Sequence, residues 1–387
     1  MARFTNLARR LIVVLLLTFG LAAPAFAQDA VEVLTMDNEE QKDWLTNFVQ
    51  DRLSTPERQI RLSNIEGALG SNVSVREITI SDGEGVWLRV NNATLTWNQG
   101  ALLLGRLDVQ SLTADSIEYI RNAVPVEGAV DLPAPEASGF QVPEFPVAIN
   151  LQELSIPKVT FGENVFGLGS EISLAGALAL EGGNLTTNLD IVRLDGPGGT
   201  LDLDVAYAKA ENNIDLNLSL VEPEDGVIAN LLNIDGRPAV TLTLAGSGAV
   251  TDLRTELQLQ ANGQTALSGV ATINQTGEGI AIATDLRGPL STLIAETYRP
   301  FFGAETSLTA NALVRSEGGI SITGLRLSGG QLSLKAAADT TADNFLRRLT
   351  LNAVVADASG GTVTLPVPGS ATRVGSAQLA VSFGETG

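Results

Sequence analysis

The residue types that most often perform chemistry in enzymes are scarce in this chain of 387 residues. It contains no His and no Cys. Imidazole general bases, thiolate nucleophiles, zinc–thiolate sites and disulfides are therefore excluded. Carboxylates, hydroxyls and lysines remain, so a catalytic site would have to be visible as a spacing of those groups.

Three short motifs resemble chemical sites, and each has a simpler structural explanation. Residues 155–158 read SIPK and match a Ser-x-x-Lys motif, but that motif starts a helix, whereas Pro157 lies among strand-like residues. Asp202 and Asp204 have the spacing of a carboxylate pair or a calcium site, yet apolar residues alternate with them, which favours a solvated strand face. Residues 195–200, DGPGGT, lack the Lys and the helix of a phosphate-binding loop and predict a turn. We predict that the chain is not an enzyme and has no catalytic, cofactor-binding or metal-binding residue.

The elements that would carry any site are predicted to be strands, because apolar and polar residues alternate along most of the chain. Leu201, Leu203 and Val205 alternate with acidic or small residues, and Leu216 and Leu218 do the same. The alternation predicts one common apolar face, with Asp202, Asp204, Asp215 and Asn217 on the opposite face. The candidates for a lipid-binding apolar face are Leu201, Leu203, Val205, Leu216, Leu218, Leu308, Val314, Leu325, Leu327, Leu349 and Leu351.

Glycines punctuate the strand pattern between residues 319 and 339. The apolar positions switch from even to odd numbers at Gly324, which predicts a bulge that keeps both halves of the strand facing the same way. The pair Gly329-Gly330 predicts a hairpin turn.

The pattern predicts an all-β fold, an elongated curled sheet in the form of a trough or β-solenoid with a hydrophobic interior and short helices. A closed sandwich and an open trough both satisfy the alternation. Aromatic residues make up only 5% of the chain. The scarcity of large rings, which anchor compact cores, tilts the prediction toward a trough.

Residues 1–27 are predicted to be a signal peptide or a signal-anchor helix. Three arginines precede an apolar run, and Ala25-Phe26-Ala27 has the small-x-small form of a cleavage site before Gln28. The run is short for a membrane span of about 20 residues, but a retained anchor would have the same orientation. The expected location is the bacterial cell envelope, either periplasmic or anchored in the inner membrane.

The rest of the chain divides into three predicted regions. Residues 28–121 should form an amphipathic helix, with Trp44, Leu45 and Phe48 on one face, followed by the first strands. Residues 122–146 contain five prolines and predict a linker. Residues 147–387 should form the repetitive β-trough. The net charge of −20 argues against nucleic acid as a partner.

Several segments, in the same order along the chain, resemble the TamB family, the inner-membrane subunits of the translocation and assembly module, within the AsmA-like superfamily. The N-terminal segments are a D-x-x-G-V-W-L edge, an A-x-L-x-W strand, an A-L-L-x-G-R-L-x-V segment and an L-x-A-x-x-I strand, at residues 82–88, 93–97, 101–109 and 112–117. The proline-rich linker and residues 222–248 and 288–336 are also similar to this family. TamB proteins are several-fold longer, so we expect the chain to be truncated at its C-terminal end.

The resemblance implies a trough-like β assembly that moves phospholipids between the inner and outer membranes. It implies phospholipid acyl chains as ligands, the inner membrane as anchor if the signal is retained, and a TamA-like outer-membrane barrel protein as partner through the missing C-terminal region. An alternative within the family is assembly of outer-membrane proteins or autotransporters by strand templating. A repetitive β surface protein is the third hypothesis.

Overall fold

The structure is a computed structural model that describes residues 54–124 and 147–384, apart from residues 56–57, 68–69, 103, 167, 232–233, 235, 295, 297–298, 343–344 and 366–371. The predicted export segment with Ala25, Ala27 and Gln28, the amphipathic helix and nearly all of the linker lie outside the described residues.

Strands make up most of the described chain, as the alternation of apolar and polar residues predicts. In the first part they are β1 (Gln59–Glu66), β2 (Asn72–Asp82), β3 (Gly85–Asn98), β4 (Arg106–Thr113), β5 (Ser116–Tyr119), β6 (Ala148–Phe161), β7 (Ser170–Glu181) and β8 (Asn184–Arg193). In the second part they are β9 (Thr200–Ala208), β10 (Asn213–Glu222), β11 (Val240–Ala249), β12 (Leu253–Ala261), β13 (Gln264–Thr276), β14 (Gly279–Gly288), β15 (Thr306–Arg315), β16 (Ile320–Ser328), β17 (Leu332–Thr340), β18 (Leu346–Ala356), β19 (Val363–Leu365), β20 (Thr372–Val374) and β21 (Ser376–Gly384).

The helices are short and lie in connections. The α-helices are α1 (Gln99–Leu102), α2 (Glu163–Phe166), α3 (Val227–Leu231) and α4 (Arg299–Phe302), and the 3₁₀-helices are η1 (Val250–Asp252) and η2 (Leu290–Leu293). The predicted fold class, an all-β chain built on a curled sheet with short helices, is confirmed.

The chain forms two compact units that divide at Leu194 and Asp195. In the first unit, β1, β2 and β3 pair antiparallel in sequence order. The short strands β4 and β5 both pair with β3 and, on their other side, run parallel to β6. A parallel pairing requires a long crossover, and here the crossover contains the proline-rich residues. Strands on both sides of the predicted linker therefore belong to one unit.

The described part of the first unit has a packed interior in which three aromatic rings contact one another. Trp87 contacts Tyr119 edge-on at 5.7 Å between ring centroids, and Tyr119 lies 5.9 Å from Phe161. Leu154, Ile156, Val159 and Phe161 of β6 are buried, together with Leu174 and Ala114. This unit has a conventional core.

A partly buried ion pair fixes the chain at the start of the linker to the β2–β3 turn. Arg121 donates to both carboxylate oxygens of Asp82, at 2.9 and 2.5 Å, and the Val124 N–H donates to the same carboxylate at 2.8 Å. These hydrogen bonds, those from Arg121 above all, hold the pKa of Asp82 well below its ordinary value of 3.8.

The second unit is an antiparallel sheet in which each strand from β9 to β18 pairs with the next, and β21 pairs with β18. Strands β19 and β20 pair as a separate small hairpin. The predicted bulge is confirmed, because both neighbours of β16 shift register between Ile322 and Leu325, around Gly324. The predicted turn at Gly329-Gly330 joins β16 to β17.

The connections of the second unit differ between its two long edges. Because the strands alternate in direction, the connections after β10, β14 and β18 all lie at the same edge. They are long, at residues 223–239, 289–305 and 357–375, and they contain α3, η2, α4 and the β19–β20 hairpin. Connections at the opposite edge are short, such as residues 209–212, 277–278 and 316–319. We call these edges the long-loop edge and the short-turn edge.

Candidate functional site

One continuous row of directly paired residues crosses the second unit from β9 to β21. Nine of its eleven members are Leu and the other two are Gly and Ala. The row is Leu203, Leu218, Leu244, Leu257, Gly269, Leu286, Leu308, Leu327, Leu334, Ala353 and Leu379. With neighbouring strands 4.7–4.9 Å apart, ten spacings give an apolar path of roughly 48 Å along the sheet.

Two further rows on the same face are also apolar. On the long-loop side of the central row, Leu201 pairs with Leu220, which pairs with Leu242, and the series continues to Leu259 and Leu267. On the short-turn side the row is Ile273, Ile282, Ala312, Ile322, Ala338, Leu349 and Phe383. We call this surface the apolar face.

The structure brings all eleven sequence-predicted apolar residues to this one face. Leu203 and Leu218 are paired, as are Leu201 with Leu220, and Val205 with Leu216. Leu308 pairs with Leu327, Leu325 and Leu351 both pair with Ala336, and Val314 and Leu349 belong to the short-turn side. The polar residues predicted for the other face, Asp202, Asp204, Asp215 and Asn217, are exposed.

The exposure of these eleven side chains separates an open face from a closed core. Every one is half-buried, and none is fully buried. Core side chains of a closed sandwich are packed on all sides. The side chains of the apolar face are therefore covered by their neighbours within the sheet. On the side that points away from the sheet they remain accessible.

The long-loop edge is closed by the insertions. Phe301 of α4 and Val363 of β19 pack with Val355, and Leu332, Leu365 and Ala377 surround them. Val355, Leu332 and Ala377 alternate in phase with the central row, so the insertions pack onto the apolar face. One side of the face is thus covered by α4 and the β19–β20 hairpin.

The buried carboxylate of Glu222 anchors the insertion that contains α3. Glu222 is in phase with Leu218 and Leu220, so its side chain lies on the apolar face, where it is 6% exposed. Its two oxygens accept hydrogen bonds from the N–H groups of Val227 and Ile228, at 2.6 and 2.7 Å. These are N-terminal groups of α3 that lack helical partners, so Glu222 holds α3 over the end of the face, with Ala229 fully buried.

Glycines let the strands of this face approach and bend. A Cβ at Gly269, in the central row, would lie 2.0 Å from the Asp285 carbonyl oxygen, and one at Gly246 would lie 2.6 Å from the Thr255 side chain. Glycine at such positions allows a sheet to coil strongly. Curvature of the apolar face is therefore encoded in glycines on the face itself.

The motifs that resembled chemical sites are ordinary strand and turn residues. Ser155 and Lys158 lie inside β6, where the Lys158 amine is 2.6 Å from the Glu171 carboxylate. The backbone carbonyl of Asp195 accepts a hydrogen bond from the Gly198 N–H at 3.2 Å in a turn. Within the part of the chain that the structure describes, no group of three or more acidic residues has the geometry to hold a metal ion.

Among the described residues, no helix has the length and apolar character needed to cross a membrane. Comparison with protein-family models, with curated proteins and with solved structures found no match to this chain.

Sequence reasoning identified the apolar face but missed the elements that close one of its edges. The strand alternation is local and readable, whereas the packing of Phe301 and Val363 and the Glu222–α3 contact depend on how distant loops return to the sheet. The one available signal was the acid at position 222, where the alternation predicts an apolar residue.

Proposed function

We propose that this chain is a TamB-like protein of the bacterial envelope and that the apolar face of its second unit takes up phospholipid acyl chains during transfer between the inner and outer membranes. The observation that carries the proposal is the row of paired apolar residues from Leu203 to Leu379, whose side chains remain accessible. The resemblance of residues 71–121, 222–248 and 288–336 to the TamB family supports the same function.

The physical benefit of such a face is continuous shielding of the lipid. Each methylene that leaves a bilayer for water costs about 0.8 kcal/mol, and an apolar surface without polar interruptions removes much of that cost. The roofed long-loop edge shields the chain from one side, and the short-turn edge leaves room for a headgroup to stay in water. This work needs no catalytic residue, cofactor or metal.

Photocrosslinking with two adjacent positions tests the proposal. A photoreactive side chain at Leu218, in the central row, should crosslink to phospholipid in cells, whereas one at Asn217, exposed on the opposite face, should not. The two positions differ by one residue on the same strand, so expression and location are matched. Equal crosslinking at both positions, or none at either, would contradict an acyl-chain groove.

A second candidate function is strand templating for outer-membrane proteins, together with a TamA-like barrel partner. It is favoured by β21, whose sequence SAQLAVSFG has no charge and no proline, while Leu379 and Phe383 are exposed. Edge strands of natural sheets usually carry charged residues or prolines that prevent pairing. If this function is the correct one, a lysine at Ala380 should abolish capture of an unfolded barrel strand and leave lipid content unchanged.

A further inference from the structure

Two like charges face each other on the polar face of the second unit, which is the face opposite the apolar face. Arg326 of β16 and Lys335 of β17 are directly paired, and both side chains are exposed. In the strand pairings that the structure describes, this is the only place where two residues of like charge lie directly opposite each other. Like charges in that position are destabilising, so the pair does not serve the stability of the sheet. We call these two residues the cation pair.

No carboxylate among the described residues is bound to the cation pair. Neither Arg326 nor Lys335 makes a hydrogen bond or an ion pair with any residue that the structure describes. Asp285 lies two strands from Arg326, roughly 10 Å away, and its carboxylate is held at 3.1 Å by an arginine of its own strand, on which Glu305 also acts. Asp339 lies four residues from Lys335, roughly 13 Å along β17, and it pairs with two other arginines. The nearby acids of the sheet therefore already have partners of their own.

The strand neighbours of the cation pair are neutral groups that form hydrogen bonds. Thr309 is directly opposite Arg326 on its other side, and Asn352 is directly opposite Lys335. The next row toward the long-loop edge contains Ser307, Ser328 and Ser333. Hydroxyl and amide groups donate hydrogen bonds to an oxyanion, whereas carboxylates in these positions would repel it. The surroundings of the two cations are thus compatible with a bound anion.

We propose that the cation pair is a binding site for a phosphate group. Directly opposite residues of neighbouring strands have Cβ atoms about 4.5–5.5 Å apart, so both long side chains reach one oxyanion. The planar guanidinium group of Arg326 binds two of its oxygens, and the ammonium group of Lys335 binds a third. The bound anion removes the repulsion between the two cations. Because the site lies on the polar face, it is separate from the acyl-chain surface and does not depend on lipid transfer.

Equilibrium dialysis of the purified chain with radiolabelled inorganic phosphate, at constant ionic strength, tests the proposal. The net charge of −20 opposes unspecific binding of an anion, so bound phosphate has to come from a local site. Arg326→Gln and Lys335→Gln should each weaken phosphate binding at least about tenfold. Arg254→Gln is the matched control, because it removes an exposed cation of the same face that has no like charge opposite it, and it should leave binding unchanged. Absence of phosphate binding by the unaltered chain, or binding that both glutamine variants of the cation pair retain in full, would overturn the proposal.

Vesicles separate the two sources of a phosphate group. Capture of phosphatidylcholine vesicles that contain phosphatidic acid, lost in both variants of the cation pair, would assign the site to a lipid headgroup. Phosphate binding without vesicle capture would assign it to a soluble phosphate compound.

Thermal unfolding without phosphate gives an independent readout. Because the two cations repel each other, Arg326→Gln and Lys335→Gln should each unfold roughly 1–3 °C above the unaltered chain. Arg254→Gln should not raise the unfolding temperature. A fall in unfolding temperature in both variants of the cation pair would mean that the charges serve the fold, and it would contradict the assignment.

Discussion

Leu218 of β10 lies directly opposite Leu244 of β11, and both side chains are half-buried on the apolar face. The pair is one step in the row that crosses the second unit. A charge placed at Leu218 interrupts the row where it is accessible, and a long polar side chain there can turn toward water. The consequences of such a change distinguish an open groove from a closed core.

We expect Leu218→Arg to fold and to lose bound lipid. Its unfolding free energy should fall by about 1–2 kcal/mol, because only part of a leucine's burial is lost. In a closed core the same charge would be unpaired and buried and would cost several kcal/mol. Thermal unfolding measures the stability, and lipid extraction measures the ligand. Asn217→Arg on the exposed face is the control and should change neither quantity.

Replacement of Glu222 should loosen the roof at one end of the apolar face. Glu222→Gln keeps the shape but removes the charge from hydrogen bonds to Val227 and Ile228, which should cost about 1 kcal/mol. Hydrogen exchange should become faster at residues 227–231. Glu224→Gln, at an exposed position two residues along, should leave that exchange unchanged. Protection in the Glu222 variant equal to that of the unaltered chain would show that the carboxylate does not anchor α3.

The curvature of the apolar face should depend on Gly269. A methyl group there would meet the Asp285 carbonyl oxygen at 2.0 Å, so Gly269→Ala must push β13 and β14 apart. We expect a loss of about 1–3 kcal/mol in unfolding free energy. Gly277→Ala is the matched control, because a Cβ at Gly277 has no neighbour within 4 Å. Similar melting temperatures for the two variants would contradict the close approach of these strands.

Stability of the first unit should depend on pH through Asp82. Its pKa is lowered by hydrogen bonds from Arg121, so the ion pair contributes stability above pH 3.8 and loses it as the pH falls through the lowered pKa. Asp82→Asn should therefore unfold at a lower temperature than the unaltered chain at pH 7. The difference should shrink as the pH falls below 3.8. A difference that stays constant or grows toward acid pH would rule out the carboxylate as its source.

The parts of this fold that sequence predicts are those governed by neighbours in the chain. Alternation at residues 201–205 and 214–220 fixes which side chains share a face, and Gly324 reveals the bulge because the alternation changes phase there. The parallel pairing of β4 with β6 and the Asp82–Arg121 ion pair join residues about 40 positions apart. Contacts of that kind leave no local pattern in the sequence. Several charged residues could have formed the ion pair, and nothing near Asp82 in the chain indicates that Arg121 is its partner.

The openness of the apolar face was the least predictable feature. The same alternation serves a sandwich and a trough, and the decision depends on whether another layer covers the face. Leu308 and Leu349 are half-buried because their sheet neighbours cover them from the sides. The roof at the long-loop edge covers positions such as Val355 instead.

Lipid bound to the purified protein tests the central claim most directly. The chain would be purified in a detergent that can be exchanged away, and its organic extract analysed by mass spectrometry beside that of Leu308→Arg. The account predicts phospholipid in the extract of the unaltered chain and little in that of the variant, with both proteins folded. An unaltered chain that carries no phospholipid, or a folded Leu308→Arg variant that carries as much, would contradict an acyl-chain groove on the apolar face.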